Sequence, residues 1–244
     1  MKWLIVLVVL AAGCGRRRFE ELPDGAPGTL GDALADDAGD APCAYTFCDN
    51  FNRSGPPNEG WDVMGLAGTG QATLVNGQFV ATLSATSDSV YLVRQVPAPT
   101  TSVVIGMKIG YAATDVGTNC EIDLARLSWN MGTCMPFGFY LVRDGTGPFN
   151  LQETNRNAGC TGNRNNYYGN NDSTGLHDVK LTVTLGAANV ATAVMEIDGV
   201  PRAPITMVQA VIVSTLRFEI GAVAVRNLAS PWTITYEDVY IDVQ

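Results

Sequence analysis

Thr233-Ile234-Thr235-Tyr236-Glu237-Asp238-Val239-Tyr240-Ile241-Asp242-Val243 largely alternates apolar and polar residues and is rich in β-branched and aromatic side chains. A run of this kind reads as a half-buried β-strand. Working back from it, similar runs recur between clusters of Gly, Asn, Asp and Pro: Gln78–Ala85, Ser89–Val96, Ser102–Ala112, Cys120–Trp129, Phe137–Val142, Phe149–Glu153, Asp178–Leu185, Ala191–Ile197 and Leu216–Val225. Their recurrence between turn clusters predicts an all-β, two-sheet antiparallel sandwich or jelly roll formed by residues 44–244 as one domain. Helical periodicity is weak; a short helical turn is expected only around Ile205–Ala210.

The N-terminus carries an address. Met1-Lys2 is followed by the apolar run Trp3 to Leu10 and the small residues Ala11-Ala12-Gly13, the pattern of a signal peptide over residues 1–13. The run is shorter than the roughly 20 residues that cross a bilayer. Leu10-Ala11-Ala12-Gly13-Cys14 resembles the bacterial lipobox, which implies that Cys14 is acylated and holds the protein on a lipid bilayer. An ordinary secretory cut near the same place is the alternative. Gly15 after the cysteine implies, by the same resemblance, the outer membrane of a Gram-negative envelope. Arg16-Arg17-Arg18 would add attraction to anionic headgroups. Beyond them, Glu20, Glu21, Asp24, Asp32, Asp36, Asp37 and Asp40 stand among Ala, Gly and Pro, so residues 14–43 read as an acidic, flexible linker.

Several of the runs resemble, in chain order, the concanavalin A-like lectin and glucanase superfamily, including laminin-G-like jelly rolls. Asp49-Asn50-Phe51, with Trp61 soon after, is similar to the family's entry strand. Asn76-Gly77 resembles its second turn, His177-Asp178-Val179-Lys180-Leu181 a strand that often begins Trp-His, and Ile197-Asp198-Gly199-Val200 a hairpin; Leu176 stands where the Trp is expected. The resemblance implies two curved sheets with a concave face where relatives hold sugars. It implies no activity, because one fold hosts many functions.

Glu121-Ile122-Asp123-Leu124 looks like the start of the Glu-x-Asp-x-(x)-Glu signature of laminarinase-type glycoside hydrolases. Retaining hydrolysis needs a second carboxyl about 5 Å from the nucleophile. It would stand at position 125, or 126 with a bulge; these are Ala125 and Arg126, and neither delivers a proton. Alternatively, Glu121 and Asp123 form a polar sheet face paired with Arg126 or Arg143, while Ile122 and Leu124 face the core. The single histidine, His177, excludes a histidine-based zinc site and reads as a structural edge residue. A net charge of -9 argues against nucleic acid as a partner.

A sugar-binding face needs an aromatic ring and fixed polar groups. Asn155 to Asp172 is expected to be a long polar loop offering Arg156, Arg164, Asn166, Tyr167 and Tyr168. The alternative is a solvated loop whose Asn and Gly satisfy turn geometry. Calcium is conceivable at its clustered oxygens, although no EF-hand spacing is present. If alternation persists, Trp129 shares a face with Glu121 and Asp123 and could serve as the platform; core packing is its other use.

An exported compartment permits disulfides. Hairpins through Cys120–Trp129, Phe137–Val142 and Phe149–Glu153 would return Cys160 near Cys134, predicting that bridge. Cys43 and Cys48 would close a small loop, leaving Cys120 buried; Cys48–Cys120 is the competing arrangement. Together these features lead to a surface-tethered, non-catalytic lectin-like domain that binds a glycan or another envelope partner. The alternatives are an extracellular polysaccharide-degrading hydrolase or lyase, and a structural or adhesion component.

Overall fold

A computed structural model describes residues 43–113, 121–129, 137–144, 149–154, 164–168, 175–210 and 215–244. They lie in one unit, Asp36–Gln244. Cys14, Cys120, Cys134, Arg156 and Cys160, with the expectations placed on them, lie outside the described residues, as do the signal peptide and most of the linker.

The strands are β1 (Phe47–Asp49), β2 (Val63–Ala67), β3 (Gln71–Val75), β4 (Gln78–Leu83), β5 (Ser89–Val96), β6 (Ser102–Ala113), β7 (Glu121–Trp129) and β8 (Phe137–Asp144). They continue as β9 (Phe149–Thr154), β10 (Arg164–Tyr168), β11 (His177–Leu185), β12 (Val190–Ile197), β13 (Val200–Pro201), β14 (Ile205–Ala210), β15 (Leu216–Arg226) and β16 (Trp232–Val243). Among the described residues, nine strands form one sheet in the order β13-β12-β11-β6-β16-β4-β3, with β1 on β16 and β14 on β12. Seven form the other, β10-β9-β8-β7-β15-β5-β2. The chain is a two-sheet antiparallel jelly-roll sandwich, as its alternation predicts.

Two local expectations change. Ile205–Ala210 is strand β14 rather than a helical turn, because its residues find partners on β12 at Thr192 and Ala193. The expected long loop contains β10, which pairs with β9 from Arg164↔Thr154 to Tyr168↔Asn150. Adjacent aromatic residues favour a pleated edge, and the row of backbone groups on β9 supplies the ladder.

The core lies between the sheets, built by inward positions such as Phe79, Leu83, Ile109, Phe218, Trp232 and Ile234. The entry motif is a structural clamp. The buried Asp49 carboxylate accepts hydrogen bonds from Phe51 N (2.7 Å), Arg53 Nη1 (2.5 Å) and Trp61 Nε1 (2.7 Å). This explains the pairing of Asp-Asn-Phe with a nearby Trp. Asp198 (φ 51°) and Gly199 (φ 75°) make the tight turn between β12 and β13. The Asp198 carboxylate accepts from Asp178 N (3.0 Å) and bonds His177 Nδ1 (2.8 Å), which gives the histidine its structural role. Cys43 and Cys48 form the expected disulfide beside β1, and the alternative pairing of Cys48 with Cys120 is thereby displaced.

Candidate functional site

Strand β7 is not a regular strand. Its pairing with β8 shifts register between Asp123 and Ala125, and its pairing with β15 shifts between Ile220 and Ala224. A bulge re-aims the residues beyond it. Asp123 faces outward, and past the bulge Arg126 and Ser128 take the outward positions while Leu127 and Trp129 join Ile122 and Leu124 in the core. Trp129 is 0% exposed, so it is not the platform that unbroken alternation places beside Glu121 and Asp123. The bulge also assigns position 126 to the outward place where a hydrolase would keep its acid, and the residue there is Arg126.

The outward face of β7 and β15 carries an ion-paired cluster. Arg126 Nη2 lies 2.9 Å from Asp123 Oδ2, and Nη1 lies 3.5 Å from Glu219 Oε2. Arg217 donates to Glu219 Oε1 from Nε (3.0 Å) and Nη2 (2.9 Å). Glu219 is 3% exposed and Arg217 keeps the cluster in touch with solvent. Such pairs are short, directional and held in place by their own sheet. Chemically, the guanidinium fills the gap between two carboxylates. Asp123, Glu219 and Arg126 are themselves largely buried, so Arg217, 37% exposed, is the member of the cluster open to solvent.

Register carries the rows of β7 onward to β8, β9 and β10. Arg126 pairs with Tyr140, Tyr140 with Gln152 and Gln152 with Asn166. Ser128 leads in the same way through Gly138 and Thr154 to Arg164, and Asp123 through Val142 and Asn150 to Tyr168. Arg164, Asn166 and Tyr168 therefore stand in rows with the cluster, whereas Tyr167 pairs with Leu151 in the intervening row. Glu121 pairs with Asp144 and Arg226 at the end of β7.

Three contributors escape sequence reasoning. Glu219 and Arg217 sit on a strand remote from Asp123 in sequence, and only the β7–β15 pairing joins them. Tyr91 is the aromatic residue of this face at its other end: it pairs with Gly65 and Gly221, and its ring covers Gly65 so closely that a Cβ there would lie 2.1 Å from Cζ. A Tyr directly across from a strand glycine was the signal available for it. Among the described residues no group of three or more His, Cys, Asp and Glu is arranged to hold a metal ion.

No family model matches the chain, and no curated protein matches it. Solved structures do. The endo-beta-1,4-glucuronan lyase of the fungus Trichoderma reesei superposes with a TM-score of 0.64 at 13% identity, covering 82% of this chain and 96% of that one. Alginate lyase A1-II', of polysaccharide lyase family 7, gives 0.52 at 12%, over 70% of this chain and 81% of that one. The receptor-binding domain of botulinum neurotoxin type G gives 0.51 at 9%, with 81% of this chain on 47% of that one. These likenesses establish the jelly-roll fold.

Proposed function

We propose that this chain is a non-catalytic glycan-binding domain of the bacterial cell envelope, tethered through acylated Cys14 and its acidic linker, and that it holds a polysaccharide across the outer face of the seven-stranded sheet. The observation that carries the reading is the Asp123–Arg126–Glu219–Arg217 cluster, whose buried pairs fix the half-exposed Arg217 guanidinium on a sheet face with Tyr91 at one end. Strands lie about 4.8 Å apart, so the rows from β5 to β10 run for roughly 24 Å. A glycan laid across the strands would meet polar positions on several of them. The glucuronan and alginate lyases of similar fold act on the polysaccharides they are named for, which supports a glycan as the ligand.

A second reading, cleavage of an acidic polysaccharide by β-elimination, is favoured by one specific observation. Tyr140 and Arg126 are paired in register on neighbouring strands, and tyrosine and arginine are residue types able to move a proton and to neutralise a carboxylate. One experiment separates the two. The purified chain is incubated with uronate-containing and neutral polysaccharides while binding is followed by affinity electrophoresis and unsaturated products by ultraviolet absorbance. Retardation that is lost in Arg217→Ala, without product, supports binding. Product formation selects the lyase. Neither retardation nor product with any polysaccharide overturns both.

A further inference from the structure

The outer face of the nine-stranded sheet carries a different aromatic feature. Tyr240 on β16 pairs with Gly106 on β6, and its ring lies on that glycine so closely that a Cβ would stand 2.1 Å from Cε1 and 2.2 Å from Cζ. A second ring is stacked on the first: Tyr45 lies 4.2 Å away, centroid to centroid, at an interplanar angle of 17°. Tyr45 is 47% exposed although it stands in a constrained place. The Cys43–Cys48 disulfide closes the loop around it, and β1 fixes Cys48 opposite Tyr240. Large aromatic surface left open on a pre-ordered segment loses little entropy on binding, which is the economy expected of a contact site.

The surroundings of the stack are acidic. The row continues from Tyr240 through Gly106 to Lys180 and Glu196. Lys180 is tied to Glu196 at 3.4 Å, and Asp178 and Asp242 flank the row on outward positions. Burial first, then the neighbouring Tyr45, Glu196 and Asp178, hold the Tyr240 phenol above its ordinary pKa. Lys108 stands directly across from Asp178 and pairs with Asp238 at 2.5 Å, so Lys108 and Lys180 face Asp178, Glu196, Asp238 and Asp242, and the carboxylates remain in excess. A neutral sugar would gain nothing from this excess and an acidic one would be repelled; a cationic group beside a tyrosine face gains from both the ring and the carboxylates.

We propose that the Tyr45–Tyr240 stack is a second binding site, for a saccharide bearing free amino groups, whose ring lies on Tyr45 while its ammonium groups meet Asp178 and Glu196. The site is on the opposite sheet from the Arg126 cluster and shares no residue with it. A chain with both faces active would join two glycans of opposite character, an amino-bearing one on this face and a different one on the other.

The test uses the purified chain with oligomers of glucosamine and of N-acetylglucosamine, titrated calorimetrically at low and physiological salt. Glucosamine oligomers are expected to bind, the acetylated series about tenfold more weakly, with affinity falling as salt rises. Tyr45→Ala should weaken binding about tenfold and Tyr45→Phe should retain it. Asp178→Asn should weaken binding of the amino series alone, and Arg217→Ala should leave it unchanged. Absence of binding, equal binding of both series, indifference to Tyr45→Ala, or loss in Arg217→Ala would each overturn the proposal. The last outcome would place the ligand on the seven-stranded face, so failure here is distinct from failure of the first site.

Discussion

The Tyr236 hydroxyl, carried on β16 in one sheet, donates to the Leu124 carbonyl oxygen on β7 in the other at 2.8 Å. That carbonyl belongs to the bulge that separates Asp123 from Ala125, and the Gly221 backbone bonds the same phenol from the bulge on β15. Gly221 has φ 108°, and a Cβ on it would lie 2.2 Å from Val90 O, so the β15 bulge admits no other residue without strain. A single buried hydroxyl thus satisfies backbone groups that two neighbouring bulges withdraw from the sheet ladder. Both bulges set which residues face outward, so Tyr236 positions the Arg126 cluster from the far side of the core.

Tyr236→Phe keeps the ring and removes that hydroxyl, leaving the Leu124 carbonyl buried without this donor. The expected cost is about 1–3 kcal/mol of folding stability, measured by urea denaturation. Glycan binding on the outer face should weaken as well, although Tyr236 touches no ligand. Unchanged stability would mean that the bulge is held by its strand neighbours alone.

Glu219→Gln tests the cluster. Glu219 is buried between two arginines, so neutralising it leaves Arg126, itself only 11% exposed, with Asp123 as its remaining carboxylate among these pairs. A loss of about 2–4 kcal/mol is expected. In a double-mutant cycle with Arg217→Met the losses should fall short of additive, because both changes remove the same contact.

Trp129 and Tyr91 should behave oppositely. Trp129→Ala opens a cavity in the core and is expected to lower stability by about 3–5 kcal/mol. Tyr91→Ala uncovers Gly65 at the sheet's outer face; it should cost little stability and reduce glycan binding. Equal effects of both on binding, once matched for folded fraction, would remove Tyr91 from the site.

Asp88 governs acid sensitivity at one end of the sandwich. Its carboxylate accepts from Ser84 N (2.6 Å), Ala85 N (2.9 Å) and Thr69 N (2.7 Å). Burial pushes its pKa up, but the hydrogen bonds from Ser84, Thr69 and Ala85 together outweigh it, so the folded value lies below the ordinary 3.8. A folded pKa below the unfolded one stabilises the protein above 3.8, and the contribution is lost as pH falls through the folded value. The stability difference between the wild type and Asp88→Asn, measured by denaturation at a series of pH values, should be full at pH 7 and shrink below about pH 4. A difference that stayed constant into acid would refute this role.

Alternation and turn residues determined much of this protein without help from tertiary contacts. Ser89–Val96 is a strand over the bounds read from sequence, and the closing strand differs from its reading by the addition of Trp232, because a half-buried strand writes its period of two directly into the chain. Asn76-Gly77 and Asp198-Gly199 marked their turns for the same local reason: few residues accept positive φ. Of the run read as a strand from Cys120, Glu121–Trp129 is strand β7, yet its facing was legible only as far as Asp123. One extra residue at the bulge inverted the remainder, moved Trp129 into the core and turned Arg126 outward. No local pattern announces such a bulge, since it is stabilised by Tyr236 from the opposite sheet and by the matching irregularity near Gly221. Tertiary pairing alone likewise brought Glu219 and Arg217 to Asp123 and Arg126, and laid Tyr45 on Tyr240, because strands distant in sequence become neighbours only when the sandwich closes.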